Sequence, residues 1–485
     1  MRRAKPGVPD SPRFAHIQLA MIVSPALPNT HGKLMSETVQ YEPSRLPDQG
    51  QLQSLAAAAL AEAKSQDATD AEATVSFGKA LSTTVRLGEV ETLEFHRNRG
   101  LAVTVYFGHC RGSASTSDWQ ADALRDTVQA ACAIARHTSA DPCAGLADPA
   151  RLAREIPDLD LEHPWELSAE EAILIAKGCE AAALGYDKRI RNSEGGSLSS
   201  HRGEVFYANS NGFSGGYATS RHSLSCSVIA QDDGGMQRDY WYTVARNPLD
   251  LEPAEAVGRQ AAVRALGRLA SRRLSTRQAA VLFTPEMARS LIGHFVAAIR
   301  GGALYRKASF LVDCLGKQIF PSHLTFREEP HLVRGLGSAP FDNEGVATVP
   351  RDLVRDGVLK GYVLDSYSAR RLGMETTGNA GGVHNVIVGS DSLGFEALLR
   401  RLDTGLMVTH LMGQGINLVT GDYSRGAAGF WVEGGEIQYP VEEITIAGNL
   451  AQMFRGIVAI ANDVDARGNI RCGSVLLECL TVAGD

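Results

Sequence analysis

A chain of 485 residues is too long for one hydrophobic core, since single cores rarely grow beyond about 250 to 300 residues, so more than one domain is expected. Apolar residues make up 44% and charged residues 21%, which excludes collagenous and wholly disordered classes. The net charge of -7, with no long Lys/Arg tract, argues against phosphate backbones or anionic lipid as direct partners, so neither nucleic acid nor membrane is expected.

The eight cysteines are scattered, with no Cys-x-x-Cys pair. They outline neither a disulfide framework nor a zinc ribbon, and a reducing cytoplasmic setting is expected. No stretch approaches the roughly 20 apolar residues that cross a bilayer. Residues 1–45 stand apart, with basic residues, several prolines and one short apolar run from Phe14 to Val23. Charge ahead of an apolar run is also the order of a signal peptide. Arg13 and His16 crowd this one, however, and a disordered extension or a start at Met35 is the preferred expectation.

From Gln51 to Ala63 an alanine- and leucine-rich series has the propensity of a helix. Four short β-prone runs follow (AEATVSF, ALSTTVRL, ETLEFH, LAVTVYF), and the glycines at 78, 88 and 100 predict the corners of a meander. Gln120 to His137 repeats apolar residues at helical spacing, with Ser117 and Asp118 as its start signal. Asp141 to Pro149 is a turn-rich connector, and Ser168 with Glu171 forms a capping box for a further helix. Asn211-Gly212 between β-prone runs predicts a hairpin, which SLSCSVIAQ and YWYTVA extend into a sheet. A helix is expected over 253–273, and the spaced arginines from Arg264 to Arg277 predict a solvated face.

Leu274 to Gln278 reads as a domain boundary. AAVLFT then predicts a strand and PEMARSLIGHFVAAI a helix with Pro285 in its first turn. Beyond Phe310 the segments ATVPRDLVRDGVLKGYVLDSYSA, GLMVTHLMG, GFWVEGGEIQYPVEEITIAG and SVLLECLTVAG alternate in the β manner. The expected class is α+β. A mixed α/β region with antiparallel sheets and helices covers 46–274, divisible into 46–145 and 155–274, and a β-rich domain covers 275–485.

The zinc-protease pattern His-Glu-x-x-His works because residues four apart share a helix face, so both imidazoles reach one metal while the Glu activates its water. The chain contains no match. His294 has no second His or Cys one turn away and His410 lies in a strand-like apolar run, so both read as structural. Ser76 and Lys79 satisfy Ser-x-x-Lys, a pair that needs a helix, but they stand in strand and turn. Asp463, Asp465 and Gly468 resemble the start of a calcium loop, yet Ser474 occupies the place of its closing Glu. Gly413 and Gly415 lack the third glycine of a dinucleotide fingerprint, where Leu418 stands. What remains is a set of dense glycine segments, TGNAGG, MGQG, TGDYSRGAAGF and CGS. They suit either tight barrel corners or a cleft that grips an extended peptide.

Those segments, in order with GSAST-x-D, SARxLG, ITIAGN and CGSVLL, closely resemble the PmbA/TldE branch of the TldD/PmbA metalloprotease family, from Gln51 to the end of the chain. The resemblance implies a cytoplasmic peptide-trimming metalloprotease built from two related proteins, TldD and TldE/PmbA, with microcin-precursor maturation and antitoxin degradation among its tasks. TldD-like members carry His-Glu-x-x-x-His on a helix, and a distant cysteine completes the zinc site. Set beside that helix, LIGHFVAAIRGG places Ile292 and Ala297 at the two histidines and Gly293 at the glutamate, and only the cysteine is kept, as Cys472. The resemblance therefore implies a chain with no catalytic residue, metal or cofactor of its own. A TldD-like partner would supply the zinc, and the pair would act on peptides or unfolded polypeptide. The family's older description as a modulator of DNA gyrase leaves a second expectation, a non-proteolytic regulator that binds a protein partner. A self-sufficient hydrolase using other residues is the third.

Overall fold

The computed structural model describes residues 47–484, so the extension expected over 1–45 lies outside the described residues. Helix α1 (Gln49–Ser65) begins where Asp48 accepts a hydrogen bond from the Gln51 amide. Strands β1 (Asp70–Arg86), β2 (Glu89–Phe107) and β3 (Cys110–Thr116) follow, then helices α2 (Ala121–His137) and α3 (Ala169–Leu184). Strands β4 (Ile190–Asn209), β5 (Ser214–Asp232) and β6 (Gly235–Ala245) and helix α4 (Ala254–Gly267) complete this half. The six strands form one antiparallel sheet in the order β3-β2-β1-β4-β5-β6.

Side chains alternate across a strand, and on β1 the buried Ala71, Ala73, Val75 and Leu81 all fall on one face. The first three pack with α1 and α2, and Leu81 packs with α3 and α4, so both helix pairs cover the same face at opposite ends of long strands. Tyr207, beside Phe206 on β4, points the other way and packs with Phe213, Phe341 and Val346. That contact seats later parts of the chain on the second face.

Three local expectations change. Gly78 and Gly100 are not corners: β1 runs unbroken through Gly78, which pairs with Asn98 and Gly203, while Gly100 pairs with Ser76. Only Gly88, at φ 79°, turns the chain, so four short strands become one long hairpin. Helix α2 has Gln120 as its N-cap with no side-chain cap, because Asp118 instead accepts from the Gln120 amide one turn early. Helix α4 ends at Gly267 rather than at residue 273. Beyond it Ala270 adopts φ 59° and the Arg272 amide donates to Pro440, which draws the chain into a strand-like pairing.

The second half opens with β7 (Arg277–Phe283), α5 (Pro285–Ala298) and α6 (Gly301–Tyr305). Short strands β8 (Phe326–Glu328), β9 (Arg351–Arg355) and β10 (Val358–Leu359) come next, followed by helix α7 (Ser366–Leu372), strand β11 (Val386–Val388) and helix α8 (Phe395–Leu402). The remainder comprises β12 (Gly405–Met412), β13 (Ile416–Asn417), β14 (Asp422–Glu433), β15 (Glu436–Asn449), α9 (Leu450–Arg455), β16 (Ile457–Ile460), β17 (Ile470–Arg471) and β18 (Val475–Ala483). The segment DSYSA, expected to alternate as strand, starts α7 instead: Asp365 caps it by accepting from the Ser368 amide.

Pairing runs from β7 to β12, β14, β15 and β18 and back to β7, closing a ring of strands beside a smaller sheet ordered β10-β9-β8-β11-β17. Leu291, Ile292 and Phe295 of α5 pack against Val281, Phe283, Val408, Tyr423 and Val475 in the largest core. The alternate residues Leu282, Met407, Val432 and Leu476 pack with α8. The chain is thus a mixed α+β fold, an antiparallel sheet with helices followed by a β-rich half. Among the described residues no helix is long and apolar enough to cross a membrane.

Candidate functional site

Helix α5 carries the positions that the sequence sets against a metal site. Pro285 occupies its first turn, where a missing N–H costs nothing, and its apolar face is held by the core. Ile292 is fully buried, and Gly293 and Ala297 are half-buried. A Cβ built on Gly293 would come no closer than 3.9 Å to a neighbour, the Ile470 Cδ1. Cys472 lies in the same core as Ile292, and its thiol donates to the Gly473 carbonyl at 3.2 Å. Burial, assisted by the Asp463 charge, pushes that thiol up, away from the thiolate form in which cysteine binds a metal. Isoleucine, glycine and alanine side chains offer no lone pair. Among the described residues, no group of three or more His, Cys, Asp or Glu side chains that could hold a metal ion is found.

At the N-terminal end of α5 the structure assembles what spacing could not show. Glu286, in the first turn, accepts from Arg264 Nη1 at 3.0 Å and from Arg467 Nη2 at 2.9 Å. Arg264 Nε also donates to Asp239 at 3.2 Å, and His410 Nε2 lies 3.1 Å from the same carboxylate oxygen. Arg467 Nε donates to Asp465 at 2.9 Å, and Arg289 stands 3.4 Å from Asp465. The carboxylates are nearly sealed from water, with side-chain exposures of 2% for Asp239, 4% for Asp465 and 9% for Glu286. Burial alone would raise the Asp239 pKa, but the His410 hydrogen bond and the Arg264 charge outweigh it and hold the carboxyl below its ordinary range. Trp241 and Tyr242 of β6 close the network, with the Arg467 guanidinium 4.0 Å from the Trp241 ring centroid. The network therefore ties β6 and α4 to α5, β12 and the 465–467 loop.

One expectation changes in part: Arg264 and Arg268 are each only 17% exposed and turn toward Asp239, while Arg272, Arg273 and Arg277 are exposed as expected. His410 has a structural role as expected, sharing the Asp239 carboxylate with Arg264. Neither partner of Arg264 had a sequence signal beyond an acidic residue in a helix first turn and another beside the aromatic run of β6.

The rejected patterns find other uses. Ser76 and Lys79 both lie within β1, where residues three apart face opposite ways. Asp463 accepts from the Ser474 amide and hydroxyl at 2.8 and 2.7 Å, whereas Asp465 pairs with arginines, so the two acids serve separate partners. TGNAGG is a corner: Gly378 turns at φ 70°, and Asn379 joins Glu328 and Arg351 in a hydrogen-bonded cluster. Gly413 turns at φ 73°, and a Cβ on Gly415 would meet the Ser424 carbonyl at 2.0 Å. TGDYSRGAAGF offers no free strand edge, because β14 is hydrogen-bonded on both sides, to β12 and to β15. Its cleft reading gives way to barrel wall.

Comparison with known proteins adds the following. The models of the PmbA/TldA metallopeptidase family match in chain order: domain 1 over 71–135, the central domain over 162–269 and the C-terminal domain over 276–484. The chain is 55% identical over 414 residues to the metalloprotease PmbA of Escherichia coli O157:H7, covering 85% of this chain and 92% of that protein. It also resembles a crystal structure from Bacteroides thetaiotaomicron, described as a candidate modulator of DNA gyrase, with TM-score 0.85, 29% identity and coverage of 89% of this chain and 98% of that one. The crystal structure of TldE from Thermococcus kodakarensis shares the fold, with TM-score 0.79 at 19% identity over 88% of this chain and 99% of that one.

Proposed function

Because the chain belongs to the PmbA/TldD metallopeptidase family, we propose that it is the TldE-type subunit of a peptide-cleaving complex whose TldD-like partner contributes the zinc. One observation carries the reading. A catalytic zinc takes about three protein ligands and keeps one position open. The family positions here, Ile292, Gly293, Ala297 and Cys472, supply one donor atom between them, and it is a fully buried thiol. The chain's own contribution is then structural: α5 is fixed in the core on one side and by the Glu286 network at its start, which gives a partner a rigid surface on which to complete a peptide-binding cavity.

The test compares the chain purified alone, a TldD-like partner alone and the co-purified pair, measuring zinc content by mass spectrometry and cleavage of an unfolded polypeptide. Zinc and cleavage should appear with the partner and the pair and be absent from the lone chain. Stoichiometric zinc with peptidase activity in the lone chain overturns the proposal. The likeness to the Bacteroides structure supports a second reading, a non-proteolytic regulator that binds a protein. Capture of a gyrase subunit in place of a TldD-like protein would favour it.

A further inference from the structure

The face of the six-stranded sheet turned away from α1–α4 carries a row of cationic side chains that the reading above leaves unused. His201 on β4 pairs with Arg221 on β5, and the β5–β6 register that sets His222 against Ala245 brings Arg246, one residue past the end of β6, level with Arg221. His201 lies six residues from Tyr207 and Arg221 four from Tyr217, both of which face the later parts of the chain, so the row shares their face. The His201 ring rests over two glycines. A Cβ on Gly78 would meet its Nε2 at 3.3 Å and one on Gly203 its Cε1 at 3.0 Å. These glycines pair with each other across β1 and β4, so the imidazole occupies space that no strand side chain fills.

No carboxylate balances the row. Among the described residues neither Arg221 nor His201 has an ion pair or a side-chain hydrogen bond. Arg246 is buried and donates to the carbonyls of Ser220, Gly335 and Leu336. Glu94, on the same face of β2, is engaged by His96 at 3.1 Å. Burial, with the Arg221 and Arg246 charges, lowers the His201 pKa. Like charges directly opposite one another weaken a sheet, so the row does not serve the fold and calls for an anion from outside. That anion has access, because Arg221 is exposed and His201, Gly203, Thr219 and Ser223 are half-buried.

Each member of the row contributes differently. Arg246 spends its donors on carbonyls and adds charge alone. Arg221 presents a planar guanidinium fork, which matches a carboxylate bidentately, and the neutral imidazole of His201 presents an N–H. Ser199, Gly203, Thr219 and Ser223 surround them with a floor of small side chains on which an extended chain can lie. We infer that this face binds a peptide segment carrying an aspartate or glutamate, with the carboxylate held between Arg221 and His201. The inference rests on the subunit reading for the choice of a peptide, and a binding assay without partner or zinc keeps its failure apart from the failure of that reading.

The experiment titrates the full chain by calorimetry with a pentapeptide of four alanines around one glutamate, blocked at both ends, with its glutamine counterpart and with inorganic phosphate. Saturable binding of the glutamate peptide is expected, about tenfold tighter than the glutamine peptide or more, and weakened about tenfold in Arg221→Ser and to a lesser degree in His201→Gln. Arg221→Ser should not lower the melting temperature, because it removes a like-charge neighbour. Arg259→Ser, at an exposed arginine of α4 on the other side of the sheet, removes the same charge and should leave binding unchanged. No saturable binding, equal affinity for the two peptides, or an equal loss in Arg259→Ser overturns the inference. Phosphate binding more tightly than the glutamate peptide also overturns it, by assigning the row to a phosphate.

Discussion

Replacing Arg264 with methionine keeps an apolar stem of similar length but removes the cation shared by two buried carboxylates. Its donors lie 3.2 Å from Asp239 and 3.0 Å from Glu286, with 2% and 9% of those side chains exposed. Breaking a buried pair by deleting one partner costs about 3–5 kcal/mol, because the remaining charge is stranded in a poor solvent. Here Asp239 keeps His410 at 3.1 Å and Glu286 keeps Arg467 at 2.9 Å, which places the expected loss near the lower end, about 3 kcal/mol. Urea unfolding followed by tryptophan fluorescence is suited to the measurement, since the Arg264 guanidinium lies 5.3 Å from the Trp241 ring centroid. A double-mutant cycle with Asp239→Asn should give a coupling of about 1 kcal/mol or more. The pH dependence has a definite sign. Asp239 is held below its ordinary pKa in the folded chain, so its contribution is complete above the unfolded value of about 4 and is lost as pH falls through the folded value. The difference between wild type and Arg264→Met should therefore be full at neutral pH and shrink below about pH 4. A loss under about 1 kcal/mol at neutral pH, or no coupling to Asp239→Asn, would refute the account of a shared buried cation.

Three further predictions concern positions outside that network. Gly293→Ala should raise stability by about 0.5–1 kcal/mol, since α5 has room for the methyl and alanine lowers the entropy lost on folding. Gly258→Ala should instead cost about 1–3 kcal/mol, because its Cβ would sit 2.0 Å from the Cys179 carbonyl where α4 crosses α3. Thermal melts that rank the two in the opposite order would contradict the packing described. His222 is fully buried, with Nδ1 2.9 Å from Ser200 Oγ and Nε2 2.9 Å from the His163 carbonyl, and burial holds its pKa below the ordinary value despite the His163 contact. With the folded value depressed, the unfolded chain takes the proton first, so stability falls as pH drops below about 6.5. His222→Gln should flatten the melting-temperature profile between about pH 7 and 5, and a slope equal to wild type would count against it.

Features whose physics lies within a few residues are legible in the sequence. The Ser168–Glu171 capping box forms as spaced, Asn211-Gly212 turns the β4–β5 hairpin, and Pro285 opens α5. The ordered glycine motifs are equally readable, because each needs a particular backbone at a particular place in the chain, and they point to the family to which the chain belongs. Strand length is not readable at Gly78 and Gly100, where pairing with a neighbouring strand, on both sides at Gly78, overrides the local preference of glycine for turns. Nor is the fate of Arg264 and Arg268 at the end of α4. The spacing that predicts a solvated face is the same whether water or carboxylate lies opposite. Asp239 and Glu286 come within reach of Arg264 only when β6 and α5 fold beside α4, and Arg467 arrives from 181 residues beyond Glu286. The amino-acid sequence by itself determined the local turns, caps and family of this chain. Only the tertiary structure decided which charges are buried together, because burial and pairing depend on neighbours far away in the chain.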